Sequence, residues 1–162
     1  MYHTQMEAAR KGIITKEMEI VAEKEFRTEE EIRDLVAKGQ VAICANKRHT
    51  CLDPNGVGSA LRTKINVNLG VSKDRKDYDV EMEKVMAAVN MGAEAIMDLS
   101  SHGDTQPFRR KLTSECPAMI GTVPVYDSVI HYQRDLSTLS AKDFIDVIRL
   151  HAQDGVDFVT LH

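Results

Sequence analysis

Four side chains that can bind a ligand stand at or just beyond the ends of four short apolar runs. They are Asn68, Met97, Tyr126 and His162, which are separated by 29, 29 and 36 residues. Amide, phenol and imidazole groups are hydrogen-bonding groups. In a (β/α)₈ barrel the carboxyl ends of the strands lie at one face and form the active site there. The spacing therefore predicts that these four side chains converge on one site.

Each of these residues also has a less specific interpretation. A methionine at the end of a strand more often fills a core, and Asn68 could cap the loop that follows it. The polar tips of Tyr126 and His162 favour a site. Asp98 and His102 are further candidates, although Asp98 could equally anchor its own loop.

The elements that must position these side chains are repeated β/α units. The run from residue 93 to 99 is short and apolar, and Gly92 and Gly103 bound it, which favours a buried strand. Segments 92–97 and 155–160 match in residue type position by position, and an amphipathic helical pattern precedes both. Parallel strands are predicted at 63–68, 94–98, 118–121 and 156–161, with helices between them.

The beginning of the chain carries helical signals of its own. Thr15 can cap a short helix, and Thr28 begins a capping-box sequence at the start of a second helix. Gly39 is a natural helix end. We therefore predict a helical N-terminal extension at residues 1–39, followed by an α/β part at residues 40–162.

The predicted fold class is α/β. Four parallel strands alternating with helices are half of a (β/α)₈ barrel, and a small flavodoxin-like sheet is the alternative. Because the chain stops at His162 on a strand end, the flavodoxin-like sheet would lack its closing helix. We expect a barrel truncated at its fourth strand. Residues 46–62 show no periodicity and are predicted to form a long loop, either functional or mobile.

The composition is ordinary for a soluble globular protein, with 43% hydrophobic and 28% charged residues. The 162 residues carry a net charge of −4 without a basic cluster, which argues against nucleic acid and anionic membranes as partners. There is neither an apolar run long enough to span a membrane nor a signal-peptide core, and the three cysteines are an odd set. Reduced thiols and a cytoplasmic location are predicted.

The sequence does not support a metal site or a phosphate-binding loop. The six histidines are scattered without an i, i+4 pair, and no Cys-x-x-Cys occurs. Neither a glycine-rich phosphate loop nor a G-x-S-x-G sequence is found. Residue types and spacing alone assign no catalytic residue.

Six sequence blocks together resemble the phosphomethylpyrimidine synthase family of thiamine biosynthesis. The blocks are T-Q-M at 4–6 with A-R-K-G-I-I-T at 9–15, A-N-K-R-H at 45–49, T-K-I-N-V-N-L-G at 63–70, M-D-L-S at 97–100, G-T-V-P-V-Y at 121–126 and G-V-D-F-V-T-L-H at 155–162. The resemblance extends over the whole chain but only over the N-terminal part of that family's proteins.

The resemblance implies a radical S-adenosylmethionine enzyme on a (β/α)₈ barrel, a homodimer in the complete protein. Such an enzyme rearranges 5-aminoimidazole ribotide to 4-amino-5-hydroxymethyl-2-methylpyrimidine phosphate. The family's substrate-binding positions fall on the four residues that strand ends already single out. Those residues are Asn68, Met97, Tyr126 and His162.

The cofactors that the resemblance implies are S-adenosylmethionine, a [4Fe-4S] cluster and zinc. The family's cysteine triplet and zinc histidines lie in its C-terminal part, and Cys44, Cys51 and Cys116 do not match them. We therefore expect no radical chemistry from this chain alone. Two alternatives remain open: a sister 5-hydroxybenzimidazole synthase of cobamide biosynthesis that uses the same ribotide, and a non-catalytic fragment or interaction module.

Overall fold

The structure, a computed structural model, describes residues 2–161, and these residues form two compact units. One unit contains the chain up to Ala45 together with Asp53–Lys64, and the other contains Asn46–Leu52 and the chain from Ile65 onward. The N-terminal unit contains α1 (Gln5–Arg10), α2 (Lys16–Glu25), α3 (Glu29–Ala37), β1 (Val41–Ile43) and β2 (Gly56–Gly58). The second unit contains β3 (Asn66–Leu69), α4 (Tyr78–Asn90), β4 (Ala95–Asp98), α5 (Gln106–Glu115), β5 (Met119–Thr122), α6 (Pro124–Tyr132), a 3₁₀ turn (Leu136–Thr138), α7 (Ala141–Gln153) and β6 (Phe158–Val159).

The N-terminal unit forms where the local signals predict it. The Thr15 hydroxyl accepts the Met18 backbone N–H at the start of α2, and Thr28 begins α3 with a complete capping box. Gly39 follows α3 with a φ of 71°, a left-handed conformation that favours glycine. The apolar faces of these helices pack with the first strand. The buried cluster comprises Ala9, Met18, Val21, Ala22, Ile32, Val36, Val41 and Ile43.

The long loop predicted at 46–62 contains a strand. β2 pairs antiparallel with β1, with Val41 opposite Gly58. The sequence of β2, Gly-Val-Gly, does not predict a strand, because glycine is a poor strand former. A Cβ at Gly58 would lie 2.1 Å from the Gln40 carbonyl oxygen, so the close backbone approach requires glycine there. The predicted division at residues 1–39 and 40–162 stays a prediction, while the contacts place β1 and β2 with the N-terminal helices.

The second unit contains the four-stranded parallel sheet that the sequence predicts. The strand order is β3-β4-β5-β6, and all three pairings are parallel. One face of the sheet packs against α4 and α5 in a buried cluster that includes Ile96, Ile120, Phe108 and Leu112. The opposite face of the sheet is the inner face. The structure thus confirms an α/β unit with a four-stranded parallel sheet.

Two of the four α-helices in this unit begin with a side-chain cap, and two do not. Asp77 caps α4, and Ser140 with Asp143 forms the capping box of α7. No side chain caps α5, which begins after Thr105. Nor is α6 capped by a side chain; it begins at Pro124, one residue beyond the end of β5. Proline at the first helical position is a known helix start, and it is the signal that could have located this helix.

We expect Gly121→Ala to lower the free energy of unfolding by about 1–3 kcal/mol, because it overpacks the inner face. A Cβ at Gly121 would lie 2.3 Å from Cζ of Phe158, whose ring covers the glycine. Urea unfolding of Gly121→Ala and of the unmodified chain measures the difference in the free energy of unfolding. In a Phe158→Ala background the same change should cost less, and an equal cost in both backgrounds would contradict this contact.

Candidate functional site

Two of the predicted site residues are neighbours at the carboxyl end of the sheet. Asn68 of β3 is paired in register with Met97 of β4. The Thr160 hydroxyl donates to the Met97 sulfur at 4.0 Å, so Met97 and Thr160 share the inner face. Asn66 Nδ2 donates to Asn68 Oδ1 at 3.0 Å on the same strand. The structure therefore forms an amide–thioether rim from Asn68, Met97 and Thr160.

The segments at the ends of β3 and β4 are joined by backbone hydrogen bonds, and these bonds hold the backbone of the rim in place. The Leu99 N–H donates to the Leu69 carbonyl at 2.7 Å, and the Ser101 N–H donates to the Val71 carbonyl at 3.0 Å. A Cβ at Gly70 would lie 2.5 Å from the Ser100 nitrogen, so only glycine allows the loops to come this close.

Asp98 anchors its own loop, as the alternative interpretation predicts. Its Oδ1 accepts the backbone N–H of Ser100 at 2.9 Å and the Ser100 hydroxyl at 2.5 Å. The Ser100 hydroxyl oxygen in turn accepts the Val71 N–H at 3.1 Å. Burial raises the pKa of Asp98, and these hydrogen bonds oppose the rise. Asp98 thus supports the rim from the helix side of the sheet.

The other candidates lie elsewhere or outside the described residues. Tyr126 lies in the first turn of α6, beyond the end of β5, and its residue is 40% exposed. His102 lies between β4 and α5, at a cleft of about 590 Å³ formed with α6 and α7. His162 lies outside residues 2–161, which the structure describes. A single site containing all four predicted residues stays a prediction.

The A-N-K-R-H block contains a buried histidine, His49, whose two ring nitrogens both have hydrogen-bond partners. His49 Nδ1 lies 2.7 Å from Asp157 Oδ2, and Nε2 lies 2.7 Å from the Cys116 carbonyl oxygen. Asp157 also accepts the backbone N–H groups of Asn46 and Ile120, at 2.8 and 2.7 Å. A carboxylate and a carbonyl only accept hydrogen bonds, so the ring must donate from both nitrogens as an imidazolium. This block therefore ties the residue before β6 to the end of α5.

A second buried polar cluster joins α5, α6 and α7. Arg109 contacts Asp127 at 2.9 Å and Asp154 at 3.0 Å. His151 Nε2 lies 2.8 Å from Asp127, and its Nδ1 lies 2.8 Å from the Thr122 hydroxyl. Burial would raise the pKa of Asp127, but hydrogen bonds from His151 and Thr105 and the charge of Arg109 lower it to about 2.

The sequence does not predict this cluster, because its members are far apart in the chain and no motif links them. Their side chains bond to one another, and they tie three helices together. We interpret the cluster as structural.

Comparison with known proteins decides the family. The model of the radical SAM ThiC family matches residues 4–162. The chain belongs to this family. The phosphomethylpyrimidine synthase of Alkaliphilus oremlandii is 60% identical to it over 161 residues, and the proteins of that name from Clostridioides difficile and Clostridium kluyveri are 58% and 56% identical. Each alignment covers 99% of this chain, which spans 37% of the length of these curated relatives.

Cysteine thiolates bind iron–sulfur clusters. The cysteines of this ThiC family chain do not fit such a cluster. Among residues 2–161, no group of three or more His, Cys, Asp or Glu side chains could hold a metal ion. Burial raises the pKa of Cys51, and it raises that of Cys116 to about 11, so both thiols resist forming thiolates. In this part of the chain, no helix is long and apolar enough to cross a bilayer.

Proposed function

We propose that this chain is the N-terminal part of a phosphomethylpyrimidine synthase, which rearranges 5-aminoimidazole ribotide to 4-amino-5-hydroxymethyl-2-methylpyrimidine phosphate in thiamine biosynthesis. The observation that carries the proposal is 60% identity, over 99% of the chain, to a protein of that name. In this proposal the four-stranded sheet is the first half of a (β/α)₈ barrel, whose remaining strands pair with its two open edges.

The role of this chain in the reaction is to bind and orient the ribotide. The rim at the carboxyl ends of β3 and β4 supports this role, because its backbone is fixed by hydrogen bonds between the two loops. Asn68 supplies a hydrogen-bonding amide, and Met97 supplies a polarizable apolar surface for the imidazole ring. Tyr126 and His162 complete the proposed substrate-binding set.

The proposed cofactors of the complete protein are S-adenosylmethionine, a [4Fe-4S] cluster and zinc. The cluster and S-adenosylmethionine supply the radical chemistry when bound, and their ligands are proposed to come from other parts of the complete protein. We also propose that the complete protein is a cytoplasmic homodimer that uses a small-molecule substrate and needs neither nucleic acid nor a membrane.

Calorimetry with 5-aminoimidazole ribotide tests the proposed site in the complete protein. Asn68→Ala and His162→Ala should each weaken binding by about 1–3 kcal/mol, because a buried polar group of the ligand loses its partner. Asn90→Ala is the matched control, since Asn90 is an exposed asparagine at the end of α4.

The outcomes separate the open alternatives. Unchanged affinity in a folded His162→Ala protein would remove His162 from the site. If the unmodified protein does not bind the ribotide, the non-catalytic module is favoured instead. If turnover gives 5-hydroxybenzimidazole rather than the pyrimidine phosphate, the thiamine assignment is wrong although the ribotide site is correct.

A further inference from the structure

Two asparagine side chains on β3 form a directed hydrogen bond on the inner face. Asn66 and Asn68 are two residues apart on one strand, so both side chains point to the same side of the sheet. Asn66 Nδ2 donates to Asn68 Oδ1 at 3.0 Å. Both residues are exposed, so the bond is not part of the buried core.

The direction of this bond determines what Asn68 can offer to a ligand. A carboxamide has one acceptor end, the oxygen, and one donor end, the NH₂ group. The bond from Asn66 takes one of the two lone pairs of Oδ1 and turns the NH₂ group of Asn68 away from Asn66, so both N–H donors of Asn68 are directed elsewhere. Without the hydrogen bond from Asn66, Asn68 could rotate its amide and present either the oxygen or the NH₂ group. This freedom costs affinity when the ligand requires only one of the two groups.

We infer that Asn66 is a positioning residue, which fixes the carboxamide of Asn68 so that it donates to a hydrogen-bond acceptor of the substrate. The inference rests on the proposed function and deepens it. The acceptor on a ribotide is a phosphate or ribose oxygen or the unprotonated ring nitrogen. Asn66 itself acts through Asn68 and does not touch the ligand.

Substitutions at position 66 test the direction of the bond. Asn66→Ala removes the hydrogen bond to Asn68 Oδ1. It should weaken ribotide binding by about two- to fivefold, because the Asn68 amide is then free to rotate. Asn66→Asp supplies an acceptor only, so Asn68 must turn its NH₂ toward residue 66 and its oxygen toward the ligand. This variant should lose at least about tenfold in affinity.

The same substitutions in an Asn68→Ala background separate positioning from direct contact. If Asn66 acts through Asn68, then Asn66→Ala and Asn66→Asp should change the affinity of the Asn68→Ala protein by less than about twofold. A direct contact between residue 66 and the ligand, or repulsion between the carboxylate introduced by Asn66→Asp and the phosphate, would persist in this background.

The aminoimidazole riboside, which lacks the phosphate, identifies the acceptor. If the effect of Asn68→Ala persists with the riboside, the acceptor is a ribose oxygen or the ring nitrogen. If the effect disappears, the acceptor is the phosphate.

A ligand-free measurement checks the hydrogen bond itself. In the 18.1 kDa chain labelled with ¹⁵N-asparagine, the side-chain NH₂ signal of Asn66 should shift in Asn68→Ala. The NH₂ signal of Asn68 should move little in Asn66→Ala, because it is not the donor of this bond. The reverse pattern would overturn the assigned direction.

The result that overturns the positioning role alone is ribotide affinity of Asn66→Asp equal to that of the unmodified protein, or additive losses in the Asn68→Ala background. The proposed function would then still stand. Absence of ribotide binding by the unmodified complete protein would overturn both the proposed function and the positioning role.

Discussion

Arg109→Ala will lower the free energy of unfolding by about 3–5 kcal/mol, the cost of removing one partner from a buried charge pair. The Arg109 side chain is 4% exposed and contacts both Asp127 and Asp154. Without the guanidinium, two carboxylates in the helix layer lose their shared cation. Urea unfolding followed by circular dichroism measures the difference from the unmodified chain.

The neighbouring arginine is the matched control. The Arg110 side chain is 64% exposed and pairs with Asp154. Because solvent screens exposed ion pairs, Arg110→Ala should cost less than about 1 kcal/mol. Equal losses from the Arg109 and Arg110 variants would show that burial of the cluster adds nothing to stability.

His49→Ala will lower the free energy of unfolding by about 3 kcal/mol, because it leaves the buried Asp157 carboxylate without its cation. The side chains of His49 and Asp157 are both fully buried. The change also removes the His49 donor from the Cys116 carbonyl, which keeps a hydrogen bond from the Cys51 thiol. The exposed His131 provides the control, since His131→Ala removes a histidine without breaking a buried pair.

The pH dependence of stability is the second signature of His49. Burial would lower the pKa of His49, but the hydrogen bond and charge of Asp157 raise it above the ordinary value of 6.5. A raised folded-state pKa means that the folded chain binds more protons than the unfolded chain above this value. The contribution of His49 is therefore complete below about pH 6.5 and is lost as the pH rises through the folded-state pKa.

Unfolding free energies measured across this pH range test that signature. The unmodified chain and His131→Ala should lose stability as the pH rises above about 6.5, whereas His49→Ala should lack this part of the slope. The same pH profile in all three proteins would contradict an imidazolium at position 49.

The sequence by itself determined the features that depend on neighbours in the chain. The Thr28 capping box and the left-handed Gly39 are local, because the cap and the groups it satisfies lie within one helical turn. The apolar runs located four parallel strands, and spacing by one β/α unit predicted that their carboxyl ends lie at one face, where the structure pairs Asn68 with Met97. The blocks of the resemblance also identified the family before any contact was known.

The tertiary structure decided the features whose partners are distant in sequence. Asp157 could be assigned a role only when the fold brought His49 to it across 108 positions. Likewise, Arg109 of α5 meets Asp154 only because the fold brings the residue that follows α7 to α5. Hydrogen bonds and charges act over a few ångströms in space, and residue spacing gives no measure of that distance for remote segments. For that reason the sequence could nominate the Asn68 amide, but only the fold showed that its oxygen accepts a hydrogen bond from Asn66.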